Sequence, residues 1–382
     1  MNIGILGGGQ LARMLAQAGR AQGVNFMFLS PEEPSCAAPF GEHLLADYDD
    51  LTALKKLAQW ADVVTYEFEN IPAQSIQFLE AHAQVHPSSN ALAISRHRVT
   101  EKQQFATLGI ATAKFAAIES LASLEVAVED IGYPAILKTC TEGYDGKGQR
   151  VLRAPQELAS AWHDLGGVPC ILEAMVPFQR ELSIIATRSK TGDKVFYPVS
   201  ENYHREGILR LSLSRPNDPM QPLAEALINR LLDALSFVGT LTLELFQVGD
   251  QLLANEMAPR VHNSGHWTIE GARTSQFENH LRAIQGLALG EPQVTKSAAM
   301  VNIVGERPVT LVHSQASFAY LHDYTKAERP GRKIGHLTLL DETGAADGLG
   351  FTQRVATVLA LMGEDTLEQA LLTGQIQIYS AS

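Results

Sequence analysis

An acidic hairpin late in the chain carries the first side chains that could do chemistry. The strands TLTLELFQ and QLLANEMA flank Gly249-Asp250, and Glu244, Asn255 and Glu256 interrupt their apolar alternation. A two-residue turn would pair Glu244 with Asn255, whereas a three-residue loop over 249–251 would pair Glu244 with Glu256. Carboxylates that converge between apolar neighbours repel each other unless a cation lies between them, and oxygen ligands favour Mg²⁺ or Mn²⁺ over zinc. The hairpin therefore predicts a divalent-cation site, with a solvated sheet face as the alternative.

A glycine loop, TEGYDGKGQ at residues 141–149, lies between two short predicted strands. It is not a Walker A loop, because no Lys-Ser or Lys-Thr pair closes it and the next element is a strand. A glycine hairpin that carries one Lys can close over a polyphosphate through its backbone amides. Lys138, at the end of the preceding strand, adds a point charge suited to phosphate. The loop predicts a phosphate site, with a surface hairpin as the alternative.

A second glycine-rich segment opens the chain, where Gly7-Gly8-Gly9-Gln10-Leu11-Ala12 matches G-x-G-x-x-A between a strand and a helix. Backbone N–H groups and the positive end of a helix form an anion site there. A nicotinamide dinucleotide would also need a carboxylate at the end of the second strand. That strand ends in Leu29-Ser30, followed by Pro31. The glycines therefore favour the phosphate of another substrate, with tight strand–helix packing as the alternative.

Two further polar groups lie in the C-terminal half. His262 and His266 are four residues apart, but Asn263-Ser264-Gly265 between them predicts a loop, which favours substrate contact or loop hydrogen bonds over a zinc pair. Four basic side chains also fall within eight residues of this acidic chain: Lys326, Arg329, Arg332 and Lys333. They predict a site for an anionic substrate group, with a solvated loop as the alternative.

The hydrophobic pattern indicates which elements position these segments. Strands and helices alternate over residues 1–95, which predicts a Rossmann-like parallel sheet. A second unit follows at 96–295, and its strands are short from about 112 to 182. Residues 296–382 are mostly strand, with a helix near 350–362, and predict a small separate C-terminal domain. The expected fold class is α/β (α+β).

Composition excludes several classes of protein. The chain of 382 residues has 30 Lys and Arg against 42 Asp and Glu, a net charge of −12, so we expect neither a nucleic-acid nor a membrane partner. Three widely spaced cysteines predict neither a disulfide framework nor a zinc knuckle. No charge-free apolar run reaches the ~18 residues of a membrane span. The start, MNIGILGGGQ, predicts a strand rather than a signal peptide, and a reducing cytoplasm is the expected location.

The order of these motifs resembles the ATP-grasp fold: a strand Lys, a glycine hairpin, a strand that ends near Glu173, and a late Glu…Asn-Glu set. Local strings narrow the resemblance to the N5-carboxyaminoimidazole ribonucleotide synthetases of purine biosynthesis, over essentially the whole chain. These strings are GGGQLARML, TYEFENIP, HPS, GYDGKGQ, NEMAPRVHNSGHWT and RPGRKIGHL. GYDGKGQ and APRVHNSGHW are the specific ones, and Lys147 stands where Arg is also common in the family.

The resemblance implies a ligase that uses ATP to join a carboxylate to an amine. ATP would phosphorylate bicarbonate to carboxyphosphate, and the amine of 5-aminoimidazole ribonucleotide would capture the carboxyl group, or CO2 released from that intermediate. The expected products are N5-carboxyaminoimidazole ribonucleotide, ADP and phosphate, without biotin. Residues 96–295 would be the ATP-grasp domain, with a mobile lid subdomain at about 112–182. Members of the family are commonly dimers, so we expect a homodimer.

The resemblance also implies a role for individual residues. Glu244 and Glu256 would hold Mg²⁺, or Mn²⁺, across the phosphates. The residues expected at bicarbonate or carboxyphosphate are Arg260, His262, Asn263, Asp145 and Lys147. Those expected at ATP are Arg98, Lys138, Gly143, Tyr144, Asp145, Gly146, Lys147, Gly148, Gln149, Glu173, Ala174, Met175, Val176, Glu181, His204, Asn255 and Glu256. Those expected at the ribonucleotide are Gly8, Gln10, Lys326, Arg332 and Lys333.

Three other functions fit parts of the pattern. Another ATP-grasp ligase, such as a formate-dependent glycinamide ribonucleotide transformylase or a biotin carboxylase, would differ in its substrates. A nicotinamide dehydrogenase is disfavoured because the second strand ends without a carboxylate. A non-catalytic nucleotide-binding regulator is disfavoured because the hairpin carries both Glu244 and Glu256.

Overall fold

The N-terminal region is built on a four-stranded parallel sheet in the order β3-β2-β1-β4, as the alternating pattern predicts. The structure is a computed structural model and describes residues 1–141, 143, 147–294, 296–308, 319–341 and 348–377. The elements of this region are β1 (Asn2–Leu6), α1 (Gln10–Arg20), β2 (Asn25–Ser30), β3 (Glu42–Leu45), α2 (Leu51–Trp60), β4 (Val63–Tyr66), α3 (Ala73–Glu80) and α4 (Ser89–Ser95). Because β1 and β4 are parallel neighbours, the polar loops that follow them meet at one edge of the sheet.

A smaller antiparallel sheet, in the order β5-β8-β6-β7, follows in the chain. Its elements and the helix before it are α5 (Arg98–Thr107), β5 (Phe115–Ile118), α6 (Leu121–Ile131), β6 (Ala135–Thr139), β7 (Gln149–Leu152), α7 (Leu158–Asp164) and β8 (Cys170–Ala174). Helix α6 starts at a capping box formed by Ser120 and Ser123. Leucines of α6 and α7 pack on β6 and β8 in one apolar cluster. The predicted lid range ends at 182, inside a strand that belongs to the next sheet.

A nine-stranded sheet forms the centre of the molecule, in the order β14-β13-β9-β11-β12-β15-β17-β16, with β10 paired to β9. Its strands and helices are β9 (Arg180–Arg188), β10 (Lys194–Phe196), β11 (Ser200–Arg205), β12 (Ile208–Ser214), α8 (Gln221–Ala234), β13 (Gly239–Val248), β14 (Gln251–Ala258), α9 (Thr268–Gly271), α10 (Gln276–Gln285), β15 (Ala298–Val304), β16 (Ala319–Asp323), β17 (Lys333–Leu340), α11 (Gly348–Leu361) and α12 (Asp365–Leu372). The C-terminal strands extend this sheet, because β15 pairs with β12. They do not form a sheet of their own, and the domain boundaries stay a prediction.

Helices α1 and α10 join the N-terminal sheet to the large sheet. Leu11 and Leu15 of α1 share a buried cluster with Phe277 and Leu281 of α10. His280 of α10, which is 1% exposed, lies with its Nε2 2.9 Å from Thr65 Oγ1 on β4. Its Nδ1 accepts a hydrogen bond from the backbone N–H of Thr240 on β13, at 3.1 Å.

Two findings bear on the classes that composition excludes. Within the described ranges, no helix is both long and apolar enough to cross a bilayer. The three cysteines, Cys36, Cys140 and Cys170, are buried free thiols.

Candidate active site

A β-bulge places Glu244 of β13 opposite both Asn255 and Glu256 of β14. The hairpin closes with the two-residue turn Gly249-Asp250, which is the first of the two alternatives that the sequence left open. The pairs on either side of the register shift are Leu245 with Ala254 and Leu243 with Met257. One residue of β13 therefore faces two of β14, and the bulge adds Glu256 to the pair that a two-residue turn predicts.

The two glutamates differ in their readiness to ionise. Desolvation, followed by the charge of Glu256, raises the pKa of Glu244 to about 7. Desolvation acts in the same direction on Glu256, but the guanidinium of Arg98 lowers its pKa below the usual value. Arg98 Nη1 donates to Glu256 Oε2 at 2.9 Å. Glu256 is therefore ionised at neutral pH, and a cation bound nearby would favour the ionisation of Glu244.

A small pocket opens beside Glu244. Its lining residues are Glu181, Leu182, Asn202, His204, Glu244, Leu245, Phe246 and Asn255. His204 Nδ1 lies 2.7 Å from Glu181 Oε2. Burial opposes protonation of His204, but the hydrogen bond and charge of Glu181 raise its pKa above the usual value. The structure thus brings four predicted site residues, on four strands, to one pocket.

An ion cluster lies under the predicted nucleotide site. Glu173 of β8, only 3% exposed, pairs with Lys138 of β6 and, at 2.7 Å, with Lys102 of α5. Burial alone would raise the pKa of Glu173, but Lys102 and then Lys138 lower it to about 2. Its carboxylate is therefore engaged by lysines, and its expected contact with ATP stays a prediction. Ala174 is the last residue of β8, and Met175, which is 38% exposed, and Val176 follow the strand.

Only part of the predicted phosphate loop is described. Tyr144, Asp145 and Gly146 lie outside the described residues, whereas Gly143, Lys147, Gly148 and Gln149 lie within them. Arg98 Nη2 donates to Gly143 O at 3.2 Å, so one guanidinium joins this loop to Glu256. Gly148 has a φ of +70°, and a Cβ there would lie 2.7 Å from Thr139 Oγ1. Glycine is required at that position both by its conformation and by this close approach.

The segment after the hairpin, Arg260 to His266, lies against the carboxylate pair. His262 Nε2 is 3.3 Å from Glu244 Oε1, and burial holds the pKa of His262 well below its usual value. Asn263 exchanges side-chain amide hydrogen bonds with Asn302, at 2.8 and 3.1 Å. The three residues predicted as a loop, Asn263–Gly265, form a 3₁₀ turn, and the short helix α9 follows them. His266 is buried, and its Nδ1 lies within hydrogen-bond distance of Tyr324 and Asn263, whereas the His262 ring faces Glu244.

Glu67, from the loop after β4, occupies the start of α1. Its carboxylate accepts hydrogen bonds from the backbone N–H groups of Gly9 at 2.6 Å and Ala12 at 3.3 Å. Gly7 has a φ of +121°, and a Cβ there would lie 2.4 Å from Glu67 Cγ. The glycines thus allow tight packing, and the chain's own carboxylate takes two of the N–H groups that the predicted phosphate site offered. The role of Gly8 at a substrate stays a prediction.

The basic cluster of the C-terminal region approaches the site. Lys326 donates to the side-chain carbonyl of Gln10, so the first and last regions of the chain meet there. The charge of Lys333 contributes, as a minor cause, to lowering the pKa of Glu244 and of His204. Arg332 Nη1 donates to Ala327 O at 3.4 Å.

Four charged residues of the site were not predicted. Glu69 pairs with Arg260 at 2.9 Å, and Glu67 lies two residues before it in TYEFENIP. Their position directly after β4, beside the glycines that follow β1, is a signal that strand order could have supplied. Glu101 and Lys102 lie on the buried side of α5. The three-residue spacing of Val99, Lys102 and Phe105 indicates that a lysine shares the apolar face of this helix.

Comparison with known proteins covers most of the chain. The ribonucleotide synthetase preATP-grasp domain matches residues 1–96, the ATP-grasp domain matches 103–277, and the phosphoribosylaminoimidazole carboxylase C-terminal domain matches 298–346. An N5-carboxyaminoimidazole ribonucleotide synthase from Pseudomonas aeruginosa is 49% identical over 362 residues, which cover 95% of this chain and 99% of that protein. The chain belongs to the N5-carboxyaminoimidazole ribonucleotide synthase family. The predicted resemblance and the predicted ATP-grasp fold are both confirmed.

Solved structures of the family have the same architecture. The N5-carboxyaminoimidazole ribonucleotide synthetase from Thermus thermophilus is 46% identical, with a TM-score of 0.87 over 94% of this chain and 97% of that one. The synthase from Aspergillus clavatus, in complex with ADP and 5-aminoimidazole ribonucleotide, is 28% identical, with a TM-score of 0.84 over 95% of this chain and 98% of that one. The groups around Gln10, Glu244 and Lys326 each fall in a different one of the three matched regions.

Proposed function

We propose that the chain carboxylates 5-aminoimidazole ribonucleotide with bicarbonate and ATP, and releases N5-carboxyaminoimidazole ribonucleotide, ADP and phosphate. The observation that carries this proposal is the bulged hairpin in a member of this family. It sets Glu244 against Glu256, and Arg98 joins Glu256 to the glycine loop. Carboxylates for a cation and basic groups for phosphates lie together there, as phosphoryl transfer requires.

Bicarbonate is a poor nucleophile, so the first step depends on positioning and on positive charge. Lys138 and Arg98 would hold the phosphate chain of ATP, and Gly143, Gly148 and the lid region at about 112–182 would close over it. Glu181 and His204 would contact the nucleotide from the neighbouring strands. Closure has a purpose here, because a carboxyphosphate intermediate reacts with water.

The residues present fit a magnesium ion. Within the described part of the chain, no group of three or more His, Cys, Asp or Glu side chains is arranged as a metal site. Glu244 and Glu256 offer two carboxylates, and Mg²⁺ is commonly held by one or two carboxylates together with substrate phosphates. Bound Mg²⁺ would neutralise charge on the transferring phosphoryl group.

Arg260, His262 and Asn263 would hold bicarbonate or carboxyphosphate, and Asp145 and Lys147 would take part in that site. His262 lies against Glu244, and Arg260 pairs with Glu69. The neutral imidazole of His262 would donate or accept a hydrogen bond without adding charge. Arg260 would exchange its bond with Glu69 for one with the anionic substrate, since a guanidinium binds two oxygens at once.

The ribonucleotide phosphate would bind where the first and last regions meet. Lys326 contacts Gln10 there, and Arg332 lies six residues further along. Lys333, the residue after Arg332, would add a further positive charge for this phosphate. This arrangement would direct the substrate amine toward Arg260 and His262.

Assays with bicarbonate or with formate distinguish this function from those of other ATP-grasp ligases. We expect ADP release that requires both 5-aminoimidazole ribonucleotide and bicarbonate, and no ADP release when formate replaces bicarbonate in CO2-free buffer. Release with formate and glycinamide ribonucleotide would indicate the transformylase reaction. Biotin-dependent release would indicate a biotin carboxylase.

A further inference from the structure

Two neighbouring side chains of α5 hold the backbone of the bulged strand from beneath. Lys102 Nζ donates to Asn255 O at 2.7 Å and to Ala254 O at 3.3 Å. Glu101 Oε1 accepts a hydrogen bond from the backbone N–H of Met257 at 2.7 Å. Lys102 is 3% exposed and Glu101 is 2% exposed. The backbone on both sides of Glu256 is therefore tied to one turn of a helix.

These contacts lie where the strand ladder is interrupted. A bulge leaves its extra residue without a regular partner, so nearby backbone groups need other donors and acceptors. In this hairpin the regular pairing stops at Ala254 and resumes at Met257. Lys102 supplies donors at the first of these positions, and Glu101 supplies an acceptor at the second.

A further contact ties the same lysine to the nucleotide side of the site. Lys102 Nζ lies 2.7 Å from Glu173 Oε1, and the other oxygen of Glu173 pairs with Lys138. One buried ammonium group thus joins the carbonyl of Asn255 to the carboxylate that holds Lys138. Helix α5 therefore contacts both sides of the proposed phosphate site, the strand that carries Glu256 and the carboxylate that pairs with Lys138.

We propose that Glu101 and Lys102 are positioning residues that fix the bulge and so set the affinity of the Glu244–Glu256 pair for its divalent cation. The proposal rests on the proposed function, which supplies the divalent cation at Glu244 and Glu256. Neither side chain touches that cation, and both act through the backbone that carries Glu256. Residues that orient metal ligands typically change metal affinity about 10- to 100-fold when they are replaced.

Glu101 offers a matched pair of variants. Glu101→Gln keeps an acceptor oxygen for Met257 N, whereas Glu101→Met has a similar size and removes it. The measurement is the dissociation constant of Mn²⁺ in the presence of saturating ADP, from the electron paramagnetic resonance signal of free Mn²⁺. We expect Glu101→Met to weaken Mn²⁺ binding about 10-fold or more, and Glu101→Gln to stay within about twofold of the unmodified chain.

A variant of Lys102 tests the contact with Asn255, and two further measurements distinguish a positioning role from a general loss of structure. Lys102→Met should also weaken Mn²⁺ binding. If this variant fails to fold because Glu173 loses a partner, the comparison of Glu101→Gln with Glu101→Met tests the proposal by itself. The affinity for ADP without metal, and the melting temperature, are measured for each variant. We expect the affinity for ADP without metal to be unchanged in Glu101→Met. General damage to the nucleotide site would lower that affinity as well.

Two outcomes would overturn the proposal: Glu101→Met with an unchanged Mn²⁺ constant, or Gln and Met variants that are equally impaired. Failure of the proposed function gives a different result. In that case the unmodified chain itself binds no Mn²⁺ with ADP, or releases no ADP with bicarbonate and 5-aminoimidazole ribonucleotide.

Discussion

Glu244 and Glu256 lie together in the bulged hairpin, and their different neighbours separate their chemistry. Arg98 donates to Glu256 and keeps it ionised, whereas Glu244 faces the neutral His262 and the negative charge of Glu256. A protonated Glu244 binds a cation poorly, so the ionised Glu256 supplies most of the attraction before substrates arrive. Glu256 is therefore the residue at which loss of one charge should matter most.

We expect Glu256→Gln to lower kcat by roughly 10²-fold or more, because one fewer anion weakens the cation and its hold on the transferring phosphoryl group. The fold should persist, which circular dichroism and the melting temperature check. Steady-state ADP release is the measurement. Glu125→Gln, an exposed change on α6, is the matched control and should leave kcat unaltered. Activity near that of the unmodified chain at saturating Mg²⁺ would rule out the metal assignment.

Sequence reasoning found the charged residues of the hairpin but not their alignment. Charges that interrupt an apolar alternation are visible in the chain, so Glu244, Asn255 and Glu256 could be predicted. The bulge could not, because it depends on contacts with Glu101 and Lys102, more than 150 residues earlier in the chain.

A similar limit applies to the glycine motif. Gly7 to Gly9 predicted an anion site, and the structure fills part of it with Glu67, whose approach follows from the order of β1 and β4 in the sheet.

At the scale of elements, α10 connects two sheets that the chain builds separately. Its His280 bonds Thr65 of the parallel sheet and the backbone of Thr240 in the large sheet. Burial, with a smaller effect of His86, lowers the pKa of His280 from 6.5 to about 3. The folded protein therefore keeps this imidazole neutral at pH values where the unfolded chain protonates it.

This shift predicts the sign of a pH effect on stability. The contribution of His280 is present above pH 6.5, and it is lost as the pH falls toward about 3, because the unfolded chain then binds the extra proton. For one group the loss approaches about 1.4 kcal/mol per pH unit. We expect the melting temperature of His280→Gln to fall less between pH 7.5 and 5.0 than that of the unmodified chain. Equal pH slopes for the two proteins would contradict this account.

At the scale of the whole molecule, the C-terminal strands belong to the same sheet as the hairpin, and the loop between β16 and β17 reaches Gln10 at the start of α1. Strand β15 pairs with β12, and Lys326 bonds Gln10. The apolar pattern predicted strands after residue 296, but it did not indicate which sheet these strands join. Strand pairing between β12 and β15 joins residues about 90 apart, which local periodicity does not encode.

If ATP and the phosphate of the ribonucleotide bind at separate sites, a substitution at one site should weaken the binding of one substrate only. Arg332→Ala should raise the KM for 5-aminoimidazole ribonucleotide about 10- to 100-fold, from loss of a charged hydrogen bond worth roughly 1.5–3 kcal/mol. The KM for ATP should stay almost unchanged. Arg273→Ala, which removes an arginine that is 64% exposed, is the control and should alter neither constant. A rise in the KM for ATP would place Arg332 at the nucleotide instead.

The expected homodimer is testable on the intact chain. Sedimentation equilibrium should give twice the chain mass of 41.5 kDa at micromolar concentration. A mass of one chain across that range would contradict the expectation without affecting the proposed chemistry.

The central claim is that this chain transfers the carbon of bicarbonate to the amine of 5-aminoimidazole ribonucleotide when ATP is cleaved. Its most direct test is a single stoichiometric measurement with ¹³C-bicarbonate, ATP and the ribonucleotide, followed by carbon NMR and ADP quantitation. The account predicts one ADP and one ¹³C-labelled carbamate on the amine for each ribonucleotide consumed, and little ADP when the ribonucleotide is omitted. ADP release without a labelled product, or a labelled product without ATP cleavage, would contradict it.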